Sequence, residues 1–379
     1  MNLLLASTTL HWLGPARLPR ALAKAGFTVS LLGPAAALAG HSRFLARYDT
    51  LPENANRVQW EVAFAETVER VEPRIVIPCD DTATGLMQAL AYAPTPALHA
   101  STALAMAALA RESLGDPQFY SSSTDKTLLP EAAAHAGVRI PPTEIVDDIE
   151  AAAAFATARG YPIVLKRGHG AAGEGVAVVA QSDGLVAAFA KVAAPQASFR
   201  GDERGRIVVQ SFIPGRSVTR GSVGWDRDEL GGITRERVTR NPADIGPGST
   251  IRIYNEAEVR EASRKLTREL DIRGFFTAEY IVHETGGEAY LVEINRRVGT
   301  GGHLGAAVGV DLCAALHAAL SGEKVTTAGD VPPGYEKVIA QFPQEWLRDP
   351  GSAWLRNFQV DVPWDEPELF EAMLRLRHL

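Results

Sequence analysis

A short segment with four glycines in eight residues, 168–175, constrains the fold of this chain more than any other feature. It contains the pattern Gly-x-Gly-x-x-Gly, and Lys166 precedes it. A dinucleotide-binding fingerprint or a P-loop would open a helix, but residues 176–180 have the β-branched composition of a strand. The segment is therefore predicted to join two strands as a flap, whose backbone N–H groups can approach phosphate oxygens while Lys166 supplies positive charge. A surface hairpin without a ligand is the alternative interpretation.

Composition indicates a folded globular protein and argues against two classes of partner. The 379 residues are enough for about two or three domains of ordinary size. Apolar residues make up 46% of the chain and charged residues 22%, which is normal globular usage. The formal net charge is −7, so the overall positive charge that attracts nucleic acids and anionic membranes is absent from the sequence. We therefore expect neither as a partner.

The cysteines and the N-terminal residues indicate the compartment. Cys79 and Cys313 lie far apart in apolar stretches, which favours two buried thiols over a disulfide or a thiolate metal site. Residues 1–7 are apolar without preceding basic residues, and the pattern after them is helical, so they indicate a first strand rather than a signal peptide. Because no apolar run reaches the ~18 residues that a membrane span needs, a cytoplasmic protein is expected.

Hydrophobic patterning divides the chain into three predicted units. Residues 1–115 alternate strand-like and helix-like runs in the manner of a small doubly wound domain. A second unit is predicted at 116–206, around the flap, and a third at 207–379. The expected fold class is therefore α/β and α+β, with a doubly wound, Rossmann-like first domain. Within that domain, Asp80 and Asp81 follow a buried strand, where they either line a binding crevice or cap the next helix.

Two strand-like runs around Gly286-Gly287 carry a second candidate site. Glu293 and Asn295 fall on one face of their strand because side chains alternate along a strand. If residues 285–287 form a three-residue loop, Glu279 lies directly opposite Glu293, and we predict that loop. Two carboxylates and an amide oxygen on one face suit Mg²⁺, although a charged sheet face in solvent is the alternative.

Two further elements belong to the same set. Arg297 ends the carboxylate-bearing strand, where a guanidinium can bind a carboxylate or phosphate through two hydrogen bonds. Residues 208–215 form an apolar strand and a Pro-Gly turn, which alone are typical of a core strand. As a connection between two units, the same segment offers backbone groups to an adenine edge, with Phe212 and Ile213 as apolar walls.

In this order, the motifs resemble those of the ATP-grasp superfamily of carboxylate–amine and carboxylate–thiol ligases, which form acyl phosphates. The matching elements are Asp125-Lys126, Lys166 with its flap, Val-Gln-Ser-Phe-Ile-Pro-Gly at 209–215, Glu279, and Glu293-Ile-Asn295-x-Arg297. The match covers roughly residues 1–325, and the Glu-x-Asn-x-Arg motif is its most specific part. The resemblance implies an ATP-grasp fold, with a pre-grasp domain at 1–115, a small lid subdomain at 116–206 and a large subdomain at 207–379.

The resemblance also implies roles for individual residues. The residues implied to bind ATP are Lys126, Lys166, Gly168, Gly170, Ala171, Gly173, Gln210, Ser211, Phe212, Ile213 and Ser217. The residues implied to hold two Mg²⁺ ions, with Mn²⁺ as an alternative metal, are Glu279, Glu293 and Asn295. The residues implied to stabilise the transferring phosphoryl group or the acyl phosphate are Arg297, Lys166 and Arg237, with Arg235 as the alternative to Arg237.

Two positions depart from the superfamily pattern. Ser217 stands where many relatives carry a glutamate for the ribose hydroxyls, which leaves ribose recognition without its usual group. Thr277 stands where D-alanine ligase-like members carry an arginine, which argues against a dipeptide ligase of that subgroup.

The activity implied by the resemblance is ATP-dependent carbon–nitrogen ligation. A substrate carboxylate attacks the γ-phosphate of Mg-ATP to give an acyl phosphate and ADP, and an amine then displaces phosphate. The expected partners are a small carboxylic acid and an amine, and the expected assembly is a homodimer. The alternatives are a phosphoryl transferase or carboxylase-type enzyme on the same scaffold, and a nucleotide-binding regulatory protein without turnover.

Overall fold

Three β-sheets organise the protein, and the computed structural model describes residues 1–52, 54–123, 125–168, 175–194, 206–243, 246–327 and 329–376. The strands are β1 (Asn2–Ala6), β2 (Thr28–Pro34), β3 (Leu45–Leu51), β4 (Ile75–Pro78), β5 (Thr143–Val146), β6 (Ile163–Arg167), β7 (Val176–Val179), β8 (Ile207–Ser211), β9 (Gly215–Trp225), β10 (Asp228–Arg240), β11 (Gly248–Tyr254), β12 (Gly274–His283), β13 (Ala289–Asn295), β14 (Glu336–Gln341) and β15 (Gln359–Asp361). The helices are α1 (Leu13–Ala16), α2 (Leu18–Lys24), α3 (Arg57–Val71), α4 (Asp81–Tyr92), α5 (Ala100–Leu114), α6 (Leu129–His135), α7 (Ile149–Arg159), α8 (Leu185–Ala193), α9 (Ala257–Glu269), α10 (Leu312–Ser321), α11 (Gln344–Arg348), α12 (Ala353–Asn357) and α13 (Pro367–Leu374).

The first sheet is parallel, with strand order β3-β2-β1-β4. Strands β1 and β4 are largely apolar and buried because both of their faces are covered, as in doubly wound domains. This confirms the predicted Rossmann-like first domain. Asp80 caps α4 by accepting a hydrogen bond from the Ala83 N–H (2.8 Å), so the helix-capping interpretation of this residue is correct.

The second sheet is antiparallel, with strand order β5-β8-β6-β7. Lys166 on β6 lies opposite Val176 on β7, which confirms that the glycine-rich segment joins two strands. Strand β8 pairs with β5 and β6. The second sheet therefore includes residues 207–211, which the sequence-based division grouped with the third unit.

The third sheet has seven strands in the order β13-β12-β9-β10-β11-β14-β15. One face carries Val218, Ala278 and Tyr280, which pack against the apolar side of α9. The alternating positions face the other way, towards the first and second sheets. Sheets one and three also share a core, since Leu5 of β1 and Phe275 of β12 belong to one apolar cluster.

The hairpin β12–β13 corrects the predicted loop. Its turn is one residue longer than predicted, because the His283 N–H donates to the Glu288 carbonyl across four intervening residues. That turn alone would set Glu279 opposite Val292. A β-bulge at Val292 inserts one extra residue, however, and restores the pairing of Glu279 with Glu293. The predicted carboxylate pairing is thus right, and the predicted three-residue loop is wrong.

A closed network of buried charges lies on the face of the third sheet that packs against α9. The Arg220 guanidinium, which is 0% exposed, contacts Glu229 Oε1 and Asp330 Oδ2, each at 2.9 Å. It also donates to Thr234 Oγ1 (3.0 Å), and the Ser263 hydroxyl donates to Glu229 (2.8 Å). The charges on this face are therefore matched by partners within the sheet and its helix.

The last elements of the chain return to the first domain. Asp361 at the end of β15 contacts Arg17 (3.0 Å) and His303 (2.7 Å). Leu369 of α13 packs in a cluster with Leu13 of α1. In the described part of the chain, no helix is long and apolar enough to cross a membrane.

Replacing Arg220 with methionine should lower the free energy of unfolding by about 3–5 kcal/mol, because it leaves Glu229 and Asp330 buried without a counter-charge. Urea denaturation measures the change. The matched control is Arg216→Met on the same strand, where an exposed arginine pairs with Glu236 (3.2 Å) and about 0–1 kcal/mol is expected. Equal losses in the two variants would contradict the importance of the network.

Candidate functional site

A cavity of about 660 Å³ lies where the three sheets meet. The first sheet and its loops contribute Trp12, Asp80 and Asp81, and the second unit contributes Lys126 and Lys166. The third sheet and the loop after it contribute Arg237, Glu279, Glu293, Asn295 and Arg297. Seven of the predicted site residues therefore line one cavity, although they come from separate parts of the chain.

A row of polar side chains crosses four strands of the third sheet on the cavity face. In order across the sheet, the cross-strand partners are Glu293, Glu279, Thr219 and Arg235. Asn295 extends the row along β13, opposite Thr277. The bulge at Val292 sets this arrangement, because it returns Glu293 to the same face as Glu279.

Each carboxylate in this row contacts a cation from another element. Arg237 donates to Glu279 Oε1 at 3.0 Å, and the Lys126 ammonium lies 3.2 Å from Glu293 Oε1. These contacts hold positive charge next to both carboxylates and prevent their mutual repulsion.

Lys166 lies at the end of β6 and is only 6% exposed. The pKa of its ammonium is lowered to about 8, chiefly by burial and also by the nearby Lys126, against the opposing influence of Glu293 and Glu279. Among the described residues, no carboxylate forms an ion pair with it. Lys166 is therefore a buried cation that precedes the glycine-rich segment. Within the ranges that the structure describes, its charge has no fixed partner.

Arg297 connects the third sheet to the first. Its Nε lies 2.9 Å from Asp81 Oδ2, and its guanidinium stacks 5.0 Å from the centre of the Trp12 ring. Asp80, the neighbour of Asp81, accepts hydrogen bonds from the Thr8 N–H and hydroxyl, both at 2.7 Å. Asp80 and Asp81 thus line the cavity as well as beginning α4.

Sequence reasoning missed Trp12 as a cavity residue. It lies in the first βα turn, at the carboxyl edge of a parallel sheet, where ligand crevices form. The presence of an aromatic residue in such a turn is the sequence feature that could have indicated a cavity residue.

The segment predicted to bind adenine lies beside the main cavity. Gln210 is buried, donates to Thr143 Oγ1 (2.8 Å), and lines a small adjoining cavity together with Lys126 and Lys166. Ser211 and Ile213 are half-buried, and Phe212 is exposed. Ser217, at the start of β9, lies opposite Ile281 of β12. Their roles in nucleotide binding remain predictions.

The glycine-rich segment is described at its first and last glycines. The Gly168 N–H donates to the Arg206 carbonyl, and the Gly168 carbonyl accepts from the Lys126 N–H, each at 2.9 Å. Gly168 therefore ties together the two lysine-bearing segments. Gly170, Ala171 and Gly173, which were predicted to cover phosphates, lie outside the described residues.

An inner cavity of about 90 Å³ adjoins the main one, and Trp12, Arg237, Glu279, Asn295 and Arg297 line both. Arg235, Gln341 and the loop residues Gly299 and Thr300 line only the inner part. A methyl group built on Gly299 would come within 2.7 Å of Thr277 Cγ2 and 3.0 Å of Arg235 Nη2. The Arg235 guanidinium therefore lies beside Thr277, the cross-strand partner of Asn295.

The donor set of the carboxylate row fits Mg²⁺ in particular. Within the part of the chain that the structure describes, no three His, Cys, Asp or Glu side chains cluster as a metal site. Mg²⁺ in nucleotide enzymes takes only one or two carboxylates, and phosphate oxygens and waters supply its other ligands. Glu279, Glu293 and Asn295 match that requirement, and the cations beside the two carboxylates show that positive charge is accommodated there.

Comparisons with known proteins agree with this arrangement. Residues 123–301 match the family model described as the ATP-grasp domain. The carbamoyl phosphate synthase large chain of Methanothermobacter thermautotrophicus is 25% identical over 280 residues, which are 67% of this chain and 24% of that protein. The chain spans about a quarter or less of the length of the first curated relatives that it matches.

Two solved structures share the fold. The biotin carboxylase domain dimer of the 2-oxoglutarate carboxylase from Hydrogenobacter thermophilus, in complex with MgADP and bicarbonate, has a TM-score of 0.63 and 17% identity, covering 88% of this chain and 73% of that chain. The L-amino acid ligase from Bacillus licheniformis has a TM-score of 0.60 and 16% identity, covering 89% of this chain and 78% of that chain.

The fold and the site together define a three-sheet α/β protein with a large cavity between its sheets, into whose wall charged side chains are set. Its architecture is the ATP-grasp fold preceded by a parallel-sheet domain, as the sequence predicted. The chain contains an ATP-grasp domain at residues 123–301, and the resemblance seen in its motifs is confirmed.

Nucleotide affinity should fall as the pH rises through about 8, because Lys166 is protonated below this value and loses its charge above it. Loss of one charge-assisted hydrogen bond to phosphate corresponds to about 10- to 100-fold weaker binding. Fluorescence titration with ADP on both sides of pH 8 measures the effect. Lys166→Arg keeps its charge across the range, so its affinity should stay flat, and an unchanged inflection in that variant would assign the effect to another group.

Proposed function

We propose that this protein is an ATP-dependent ligase that activates a substrate carboxylate as an acyl phosphate and joins it to an amine, releasing ADP and phosphate. The observation that carries the proposal is the single cavity in which Lys126, Lys166 and Arg297 surround the paired carboxylates Glu279 and Glu293. Fixed cations around a developing phosphoryl charge are what phosphoryl transfer requires of a protein.

In the first step, a carboxylate oxygen of the acid forms a bond to the γ-phosphorus of ATP, and the bond between that phosphorus and the β–γ bridging oxygen breaks. Lys126 and Lys166 would bind the phosphates, and the glycine-rich segment would exclude water from the acyl phosphate. Arg297, fixed between Asp81 and Trp12, would orient the carboxylate as it attacks.

In the second step, the amine nitrogen bonds to the acyl carbon, the carbon–oxygen bond to phosphate breaks, and the amine proton passes to solvent or phosphate. Glu279, Glu293 and Asn295 are the proposed Mg²⁺ ligands. When bound, Mg²⁺ neutralises phosphate charge. Arg237 and Lys126, which now contact the two glutamates, would be released to pair with phosphate oxygens.

A carboxylase-type reaction is the second candidate, and the small inner cavity favours it. Its volume of about 90 Å³ accommodates bicarbonate as the acid, in which case the activated species is carboxyphosphate. The two candidates share their first step and differ in the acid that is used.

The setting of the enzyme is also part of the proposal. Two buried, unpaired cysteines, Cys79 and Cys313, are usual in a reducing compartment and support a cytoplasmic location. A homodimer is proposed by analogy with the dimeric biotin carboxylase domain. Sedimentation analysis of the purified chain tests that assembly.

The first test is nucleotide product analysis with Mg-ATP and pools of carboxylic acids, including bicarbonate, each with and without amines. ADP and phosphate that appear only with an acid pool would support the proposal. AMP and pyrophosphate would contradict the acyl-phosphate route, and bicarbonate as the sole active acid would favour the second candidate.

Replacing Glu293 with glutamine should reduce acid-dependent ADP release by about a hundredfold or more, because the variant loses a negative oxygen ligand at the site of phosphoryl transfer. Initial rates across a Mg²⁺ titration measure the change. Glu288→Gln makes the same chemical change at an exposed position of the same hairpin and should leave the rate unaltered. Unchanged turnover and Mg²⁺ dependence in E293Q would exclude Glu293 as a metal ligand.

A further inference from the structure

Arg235 is a buried arginine that forms no ion pair with any of the residues that the structure describes. Its side chain faces the inner cavity, the residue is only 7% exposed, and its Nη1 has no hydrogen-bond partner among the described residues. Burial and the neighbouring Arg237 lower the pKa of its guanidinium to about 10, against the opposing influence of Glu279. An unpaired buried charge costs several kcal/mol, so a fold keeps one where an anionic ligand is expected to compensate it.

Two other arginines that line the inner cavity already have carboxylate partners. Arg237 is paired with Glu279, and Arg297 is paired with Asp81. In the proposed first step, Arg297 and the metal would neutralise the reacting carboxylate. A substrate with a single carboxylate would therefore leave the positive charge of Arg235 without an anionic partner.

The surroundings of Arg235 fix it in place. A methyl group on Gly301 would fall 1.6 Å from its Nη1, and one on Gly299 would fall 3.0 Å from its Nη2. The loop can approach the guanidinium this closely because neither residue has a side chain. The loop thus holds the guanidinium of Arg235 in a fixed position at the wall of the inner cavity.

Gln341 adds a hydrogen-bond acceptor to the same cavity. Its Nε2 donates to the Thr300 carbonyl (3.3 Å), which fixes the orientation of the amide. Its Oε1 is buried and, within the described residues, has no donor. A ligand that carries an N–H or O–H group beside its anionic group would satisfy both orphaned atoms.

We propose that Arg235 binds a second anionic group of the acid substrate, so that the substrate is a compact acid with two anionic groups, such as a short dicarboxylate or an amino or hydroxy dicarboxylate. This inference rests on the proposed function, because it takes the reacting carboxylate to lie near Asn295 and Arg297. An inner cavity of about 90 Å³ has room for about three water-sized groups at ~30 Å³ each, which suits one anionic group of a short acid whose reacting carboxylate lies in the adjoining main cavity.

The binding test compares matched acids that differ by one charge. Succinate is paired with butyrate, and aspartate with 2-aminobutyrate, each titrated by calorimetry into the protein with MgADP. We expect the dianionic member to bind about 10- to 100-fold more tightly, the usual value of a charge-assisted hydrogen-bonded pair. Arg235→Met should abolish that difference and Arg235→Lys should retain part of it.

The matched control is Arg252→Met on the adjacent strand β11. Arg252 lies on the opposite face of the sheet, where it contacts Glu236 and stacks 5.3 Å from the Tyr254 ring. This variant should keep the full preference for dianionic acids. Equal binding of both members of each pair, or an unchanged preference in R235M, would overturn the inference.

The melting temperature of the unliganded protein distinguishes a ligand-binding role of Arg235 from a purely structural one. Without ligand, Arg235→Met removes an uncompensated charge and should raise Tm, whereas a structural arginine would lower it on removal, as expected for Arg220→Met. A lowered Tm in R235M would count against the proposal.

Acid-dependent ADP release then separates the two hypotheses. Release with monoanionic acids as good as their dianionic counterparts would leave the ligase proposal standing and overturn the second anionic subsite. The opposite outcome is that dianionic acids bind more tightly, that R235M loses this preference, and that no acid causes ADP release. This outcome would support the subsite and contradict the ligase proposal.

Discussion

Charge compensation within the seven-stranded sheet is the constraint on which this structure depends. Both faces of the sheet are covered, so every charged side chain on it must find a partner or remain uncompensated at high cost. On the face against α9, Arg220 is satisfied by Glu229, Asp330 and Thr234. On the cavity face, the pairing is incomplete, because Arg235 forms no ion pair with any described residue, and Lys166 of the second sheet lines the same space. The face against α9 thus stabilises the fold, whereas the uncompensated charge on the cavity face lowers stability and leaves a group available to a ligand.

Three carboxylates of the cavity have counter-charges before any ligand arrives, because Glu293 contacts Lys126, Glu279 contacts Arg237 and Asp81 contacts Arg297. Metal and nucleotide would enter by exchange, in which cations leave the carboxylates for phosphate oxygens while the metal takes their place. Such an exchange keeps the buried charges compensated throughout, which is less costly than building an empty site with two bare carboxylates. The arrangement thus depends on the register that brings Glu279 and Glu293 together.

The sequence allowed the fold class and the two strands around the glycine-rich segment to be predicted, because the alternation of side chains along a strand is a local pattern. The loop of the β12–β13 hairpin was predicted wrongly, since a bulge at Val292 is decided by packing on both faces of the strand and leaves no clear signal in one sequence. The pairing was nevertheless right, because the bulge offset the longer turn. The ion pairs of Lys126 and Arg297 join residues far apart in sequence, and only the folded chain could reveal them. For the same reason, β8 could not be assigned to the second sheet from its own apolar run.

The distribution of the cores has a consequence for motion. Sheets one and three share one apolar cluster, and β15 and α13 bind them together through Asp361 and Leu369, whereas the second sheet has a core of its own. The chain enters that sheet after Arg139, whose carbonyl accepts from the Leu291 N–H (2.8 Å), and leaves it before Pro214, whose carbonyl accepts from the Glu284 N–H (3.1 Å). Rotation about these two crossings would carry Lys166 together with the rest of the second sheet, while the arginines of the third sheet stay in place. The acid would thus meet a preformed pocket, and only the nucleotide side would close over it.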